Sequence, residues 1–357
     1  MKICFLTHNL DSGNGWGRYA SELIRGVKKS GHEVVMLKEV GDQFEGVTVI
    51  KRGIGLFLTI PKIRNYFKKC DLIHALDGYP YGIIAALASI GLGKKLIITG
   101  QGTNAISAFS NHRWSWLMGW AYKKANVVTA ISNYTKAEIL KHVQIPNLIV
   151  INHGIDYDRF YRPRGEEGDF ILSVGALKQR KGYHVSVPAF AEAKKKLPNL
   201  RYIIVGDQSM ASYFDKLKNI ADEYDVKESL EFKTGISDGE LGYLYSTARL
   251  FILTSINDGN NFEGFGLVFL EAAAAGLPVI GTSGNGIEDA VNSGRNGILV
   301  SQNNVEEASS AIEKIAGDEK LRSDMSEESY KWSKEHDLIK TVNNYLTIYQ
   351  ETLNKTS

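Results

Sequence analysis

Twice along this chain, short apolar runs alternate with helical stretches, and that alternation restricts the fold more than any other feature. The first series opens with Lys2-Ile-Cys-Phe-Leu-Thr7, a Gly-rich loop, and an amphipathic stretch from about Gly17 to Ser30 that Gly31-His32 ends. Glu33-Val-Val-Met-Leu37 follows as the next strand. Strand, loop, helix and strand at this spacing form a βαβ unit, and such units build parallel sheets. Leu72-Ile-His74, Lys95 to Thr99 and Val127-Val-Thr129 continue the series as the short apolar runs that parallel sheets bury. Ser132 reads as the N-cap of a helix over Asn133 to His142. A stretch rich in Gly, Pro and charge, Asn152 to Gly168, breaks the pattern and predicts a linker over 153–168. The second series runs through Phe170–Val174, Arg201–Val205, Leu230–Lys233, Leu250–Leu253, Pro278–Ile280 and Gly297–Val300, then turns mostly helical from about Glu306 to Leu353. The expected fold is α/β: two doubly wound, Rossmann-like parallel-sheet domains in tandem, 1–152 and 169–334.

Composition supports this and narrows the function. With 357 residues, 43% of them hydrophobic and 23% charged, the chain can bury two cores and is not disordered. The most apolar stretch, Ile83 to Leu92, is far shorter than a membrane span and is followed by Lys94 and Lys95, so it predicts a core helix. Met1 to Leu10 lacks the basic start and long apolar run of a secretory signal, which predicts a cytoplasmic protein. Cys4 and Cys70 then read as reduced, buried thiols. A net charge of +2 argues against nucleic acid as a partner. The charge is unevenly spread: residues 1–152 hold 19 Lys and Arg against 9 Asp and Glu, and residues 153–357 hold 23 against 31. Such asymmetry suggests that the first half faces an anionic surface or ligand, although surface composition alone also produces it.

Two segments of the second half carry chemistry. The first runs from Asn261 to Ile280 and contains Glu263-Gly-Phe-Gly-Leu-Val-Phe-Leu-Glu271. A strand ends near Leu253, a Gly/Asn-rich loop follows, and an Ala-rich helix starts near Gly266. The unpaired N–H groups of Gly266, Leu267 and Val268, backed by the helix dipole, suit a diphosphate. Glu263 precedes the helix and Glu271 sits more than a turn inside it, so one carboxylate can reach a sugar ring and the other a ribose. The second segment, Gly175-Ala-Leu-Lys-Gln-Arg-Lys-Gly182, directly follows the first strand of its domain, where open α/β sheets form their ligand crevice. Arg180 and Lys181 would meet a diphosphate leaving group there. Each segment by itself also fits a solvated surface. In the first half, Gly13, Gly15 and Gly17 fall two apart, so the dinucleotide fingerprint is absent. Glu39 stands where a ribose-binding acid would, which keeps a dehydrogenase as an alternative that requires nicotinamide binding.

Taken together, the Glu263-to-Glu271 block, the Arg180-Lys181-Gly182 loop and Gly276-Leu-Pro-Val-Ile280 resemble the retaining glycosyltransferases of family 4, which have the GT-B architecture of two Rossmann-like domains facing a central cleft. Asn14-Gly-Trp-Gly-Arg-Tyr19, Ala130–Tyr134, Asn152–Asp156, Thr234–Asp238, Leu241 with Tyr245, and Asn296–Val300 resemble further landmarks in the family's order. The resemblance implies a donor site for a UDP- or GDP-sugar in the second domain. Glu263 would hold donor hydroxyls, Gly264, Phe265, Gly266 and Leu267 would offer backbone N–H groups to the phosphates, and Glu271 would bind the ribose. Gly235 and Ile236 would lie near the base, and Arg180 with Lys181 would neutralise the departing diphosphate, so that no metal or other cofactor is expected. On the acceptor or phosphate side it implies loops at Asn14, Gly15 and Gly17 and at Gln101, Gly102 and Thr103. It also implies that the final helix, about 335–357, packs back onto the first domain, and that closure about 153–168 excludes water.

Two positions depart from the family's pattern. Ala176 stands where an Arg is common, and Thr99-Gly-Gln-Gly-Thr103 has Gln101 where a histidine is common. Glutamine can donate and accept hydrogen bonds but cannot shuttle a proton. The implied reaction moves a hexosyl group to a saccharide or lipid-linked acceptor in cell-surface polysaccharide or glycolipid synthesis. A sugar-nucleotide epimerase of the same architecture and a non-catalytic sugar-nucleotide-binding partner are the alternatives. Finally, Asn111 to Lys124 sets Trp116 and Trp120 one turn apart, with Leu117 and Arg113 near the same face and Lys123 and Lys124 at the end. With Lys62, Arg64, Lys68 and Lys69 this pattern suits an anionic membrane surface, and equally a core helix with inward tryptophans.

Overall fold

A computed structural model describes residues 1–11, 15–39, 46–50 and 55–355, without the side chains of residues 56 and 57. The chain forms two compact units, one of residues 1–154 with 338–357 and one of residues 155–337.

The first unit is built on a seven-stranded parallel sheet. Its strands are β1 (Lys2–Thr7), β2 (Glu33–Lys38), β3 (Val47–Thr48), β4 (Leu72–Ala75), β5 (Lys95–Gly100), β6 (Val127–Ala130) and β7 (Leu148–Val150), in the order β3-β2-β1-β4-β5-β6-β7. The chain moves one way from β1 to β2 and the other way from β4 to β7, so the topological switch point lies between β1 and β4. Helix Gly15–Lys29 packs against the final helix, Leu338–Asn354. Their contact is close because Gly26 has no side chain: a Cβ there would stand 2.4 Å from Val342 Cγ2.

The final helix docks onto the sheet through a buried polar network as well as apolar packing. His74 on β4 lies 2.7 Å through Nδ1 from the Tyr349 hydroxyl and 2.7 Å through Nε2 from Thr99 Oγ1. Thr99 and Thr129 share a hydrogen bond of 2.7 Å, and the Tyr345 hydroxyl lies 3.2 Å from Thr99. Tyr19 of the first helix donates to Tyr345 at 3.0 Å, and its ring stacks on His153 at 3.8 Å. All of these side chains are buried. Burial holds both His74 and His153 at a pKa of about 3, so both rings are neutral.

The second unit holds a six-stranded parallel sheet of β8 (Phe170–Val174), β9 (Arg201–Val205), β10 (Leu230–Lys233), β11 (Leu250–Ile252), β12 (Val279–Thr282) and β13 (Gly297–Val300), ordered β10-β9-β8-β11-β12-β13. Its switch point lies between β8 and β11. From Ile155 onward the expected linker belongs to this unit. Tyr157–Phe160 forms a short helix there, and Gly165 and Gly168 donate backbone hydrogen bonds to Ser246 and Thr247. Glu167 accepts from Arg322 through both carboxylate oxygens, at 2.6 and 3.2 Å. The Pro/Gly-rich composition there reflects an irregular path over a surface, not freedom from it.

Candidate active site

The loops that leave β8 and β11 meet at the switch point of the second sheet, and they are stitched together through their backbones. Ile256 donates to the Arg180 carbonyl at 2.8 Å, and Thr254 Oγ1 donates to the Gly182 carbonyl at 2.8 Å. The short turn Gln179–Lys181 ends at Gly182, whose φ of +72° is left-handed and whose missing Cβ would stand 1.7 Å from the Thr254 carbonyl oxygen. Glycine is therefore required there twice over, for conformation and for space. Gly182→Ala is expected to destabilise the second unit by about 2 kcal/mol or more, since left-handed strain is added to a backbone clash. An unchanged melting transition in that variant would show that the two loops are not locked to each other.

This stitching brings the three expected catalytic side chains together. Arg180 Nη1 and Lys181 Nζ each donate to Glu263 Oε2 at 2.7 Å. Ser255 Oγ stands 3.4 Å from the same oxygen. The Glu263 side chain is 12% exposed, so the cluster is shielded yet reachable. Burial pushes the Glu263 carboxyl up, but the Lys181 and Arg180 charges and hydrogen bonds together outweigh it and hold the group at about 2. Burial lowers the Lys181 ammonium, Glu263 raises it, and Arg180 lowers it again, with a net fall. Two cations share one carboxylate oxygen, so the cluster keeps an excess positive charge that suits a second anion.

Glu263 leads directly into a helix start. Helix Leu267–Ala274 follows Gly266, whose φ of +90° turns the chain and which supplies no side-chain cap. A helix N-terminus left uncapped presents its first amides to an anion. The Gly264 carbonyl lies so near Gly286 that a Cβ on Gly286 would stand 2.1 Å from it, and Gly286 donates to the Glu263 carbonyl at 2.8 Å. That packing fixes the loop. Phe265 is buried, so its side chain serves the fold and only its backbone is available to a ligand. Glu271 lies in the second turn of the helix, 3% exposed, and accepts from the Tyr245 hydroxyl at 3.3 Å. Gly235, with a φ of +66°, and Ile236 occupy the loop after β10, the edge strand, and are not part of the Arg180–Lys181–Glu263 cluster. Ala176, at the departure from the family's pattern, lies in the loop after β8.

In the first unit, Asn14 lies outside the described residues. Gly15 opens helix Gly15–Lys29, and Gly17 lies so close to Asp11 that a Cβ would stand 2.2 Å from its carbonyl oxygen. Gly102 has a φ of +49° and, with Thr103, starts a short turn after β5. Gln101 is buried and donates through Nε2 to the Leu76 carbonyl, so its amide bridges the loops after β4 and β5. A cluster not anticipated from sequence lies at the carboxyl ends of β1, β2 and β4. His8 Nδ1 is 3.2 Å from Glu39 Oε2 and 3.1 Å from the Tyr81 hydroxyl, Tyr81 donates to Glu39, and the Trp16 ring lies 5.4 Å from His8. These residues are widely separated in sequence, and only the switch-point rule for the first sheet marks their loops together.

Comparison with known proteins bears on the family and the fold. Residues 155–332 match the family described as glycosyl transferases group 1, and residues 13–159 match glycosyltransferase family 4. A GDP-mannose-dependent alpha-(1-6)-phosphatidylinositol monomannoside mannosyltransferase of Mycolicibacterium smegmatis is 25% identical over 81% of this chain and 80% of its own length. Anabaena HepE in complex with UDP superposes with a TM-score of 0.85 at 17% identity, covering 99% of this chain and all of its own. The same protein in complex with UDP-glucose gives 0.82 at 18%, with the same coverage.

Proposed function

The chain belongs to the glycosyltransferases of family 4 and has their GT-B fold, and from that premise we propose that it transfers a hexosyl group, with retention, from a UDP- or GDP-sugar to a saccharide or lipid-linked acceptor. The observation that carries this reading is the Arg180–Lys181–Glu263 cluster beside the uncapped helix start at Gly266. In the proposed reaction the bond between the anomeric carbon and the diphosphate oxygen breaks, and its electron pair leaves with the nucleotide. Arg180 and Lys181 stabilise the charge that builds on that oxygen, which is the term that most lowers such barriers. The Leu267 and Val268 amides receive the phosphates, and Glu263, relieved of its cations by the incoming diphosphate, accepts hydroxyls of the sugar. The acceptor oxygen bonds to the anomeric carbon from the face the nucleotide leaves, and its proton passes to the departing phosphate. Two protein cations perform the charge compensation, so the proposal requires no metal.

Two similar proteins bear on the donor: HepE is held with UDP and UDP-glucose, and the mycobacterial transferase uses GDP-mannose. A lipid-linked acceptor is in keeping with the phosphatidylinositol mannoside named for that transferase. The testing experiment is calorimetric binding of UDP, GDP, ADP, dTDP and NAD in the presence of EDTA. One diphosphate is expected to bind well above the others, and Glu271→Gln is expected to weaken it about tenfold by replacing a charged hydrogen-bond acceptor with a neutral one. Binding of NAD alone, or binding of a diphosphate only after a divalent metal is restored, would overturn the reading.

A further inference from the structure

Helices Gly55–Phe67, Ile83–Ala88 and His112–Lys124 pack side by side on the first unit. They follow β3, β4 and β5 in turn, and the right-handed crossover rule sets them on the sheet face opposite helix Gly15–Lys29. Their sequences contain neither Asp nor Glu. Across the wider stretch 46–137 there are 12 Lys and Arg and only two carboxylates, Asp71 and Asp77. Asp71 accepts from the Lys2 backbone at 2.7 Å, at the start of β4, and Asp77 is fully buried.

The outward stripes of the two longer helices combine charge with large apolar side chains. On Gly55–Phe67 the exposed positions are Leu58, Pro61, Lys62 and Asn65, followed by Lys68 and Lys69. Leu58 is 78% exposed. On His112–Lys124, Arg113, Trp116, Trp120 and Lys123 recur at helical spacing, with Trp116 68% exposed, Trp120 half-buried and the two cations exposed. Leu117, expected near that face, is buried. Arg64 ties the helices together by donating to the Ala88 and Ile90 carbonyls at 2.9 and 2.7 Å, which fixes the 48% exposed Ile90 beside the first helix.

We infer that this three-helix face docks on an anionic bilayer, with Leu58 and Trp116 entering the headgroup boundary and Lys62, Arg113, Lys123 and Lys124 meeting lipid phosphates. Exposed tryptophan bordered by cations is the chemistry of an interfacial surface, and both of its parts are needed for stable attachment. A second copy of the chain does not fit this face, because pairing it with itself would bring like charges together. The inference goes beyond the transfer reaction, and its test reads no activity.

The test is co-sedimentation of the full chain with vesicles of equimolar phosphatidylglycerol and phosphatidylcholine, against vesicles of phosphatidylcholine alone. Binding is expected only to the anionic vesicles, and it weakens as salt is raised. Leu58→Ser with Trp116→Ser is expected to lower the partition about tenfold, and Arg113→Glu with Lys123→Glu to abolish it, both with unchanged melting transitions. The two pairs are read separately, so misfolding of one leaves the other decisive. Equal binding to neutral vesicles, no binding to either, or undiminished binding by either folded variant would overturn the inference. So would a concentration-dependent dimer that Trp116→Ser dissolves, or capture of an oligonucleotide that the charge reversal abolishes.

Discussion

Glu263→Gln is expected to slow transfer by about 10²- to 10³-fold while leaving the nucleotide diphosphate bound as tightly as before, or more tightly. The substitution keeps the shape of the side chain and removes its charge. Arg180 and Lys181, which now share Glu263 Oε2, would then face each other across a neutral amide. Lys181 is already depressed by burial and would fall further. Removing one partner from a fully buried ion pair costs about 3–5 kcal/mol, and the partial exposure of Arg180 brings the cost here below that. A diphosphate would restore the missing negative charge, so ligand should stabilise the variant more than it stabilises the wild type. Melting curves with and without nucleotide, set beside single-turnover transfer rates, separate the two effects. A variant that transfers at the wild-type rate would remove Glu263 from the chemistry.

The second large effect is acid lability of the first unit. In the folded state His74 stays neutral down to a pKa of about 3, whereas in the unfolded chain it takes a proton near 6.5. Between those values the unfolded state binds the extra proton, so stability falls as pH falls, by about 1.4 kcal/mol per pH unit for each such histidine. His153 has the same direction and window. Asp77 opposes them: burial raises its carboxyl, so the folded form takes up the proton first and gains stability as pH falls. His74→Gln isolates one contribution. On going from pH 6.5 to pH 5, the variant should lose about 2 kcal/mol less stability than the wild type in denaturant unfolding. Equal losses would mean that His74 accepts a proton without unfolding.

The β-strands with a mainly apolar run, such as Phe170–Val174 around Ser173 and Tyr202–Val205 after Arg201, were legible because a strand buried on both faces is apolar along most of its length. Edge strands β3 and β7 were not, since two or three residues with exposed neighbours leave no periodic signal. The Arg180–Lys181–Glu263 cluster was legible because its parts lie in two contiguous segments, Gly175–Gly182 and Glu263–Glu271, each following a strand. The partnership of Tyr245 with Glu271, and of His8 with Glu39 and Tyr81, depends on strand order, which a single sequence does not display. The polar network under the final helix was hidden for a related reason. A histidine on an apolar strand and two tyrosines 275 and 271 residues further on read as three unrelated core residues until the helix is laid across the sheet.

That final helix has a consequence for how the protein is made. Leu338–Asn354 completes the first unit, yet the ribosome delivers it only after every strand of the second. During synthesis the six strands β8 to β13 can pair and close their core while His74 and Thr99 still lack Tyr349 and Tyr345. The domain whose strands are translated first is therefore completed only after those of the second, and until Leu338–Asn354 docks, the sheet of the first unit lies open over His74, Thr99 and Thr129.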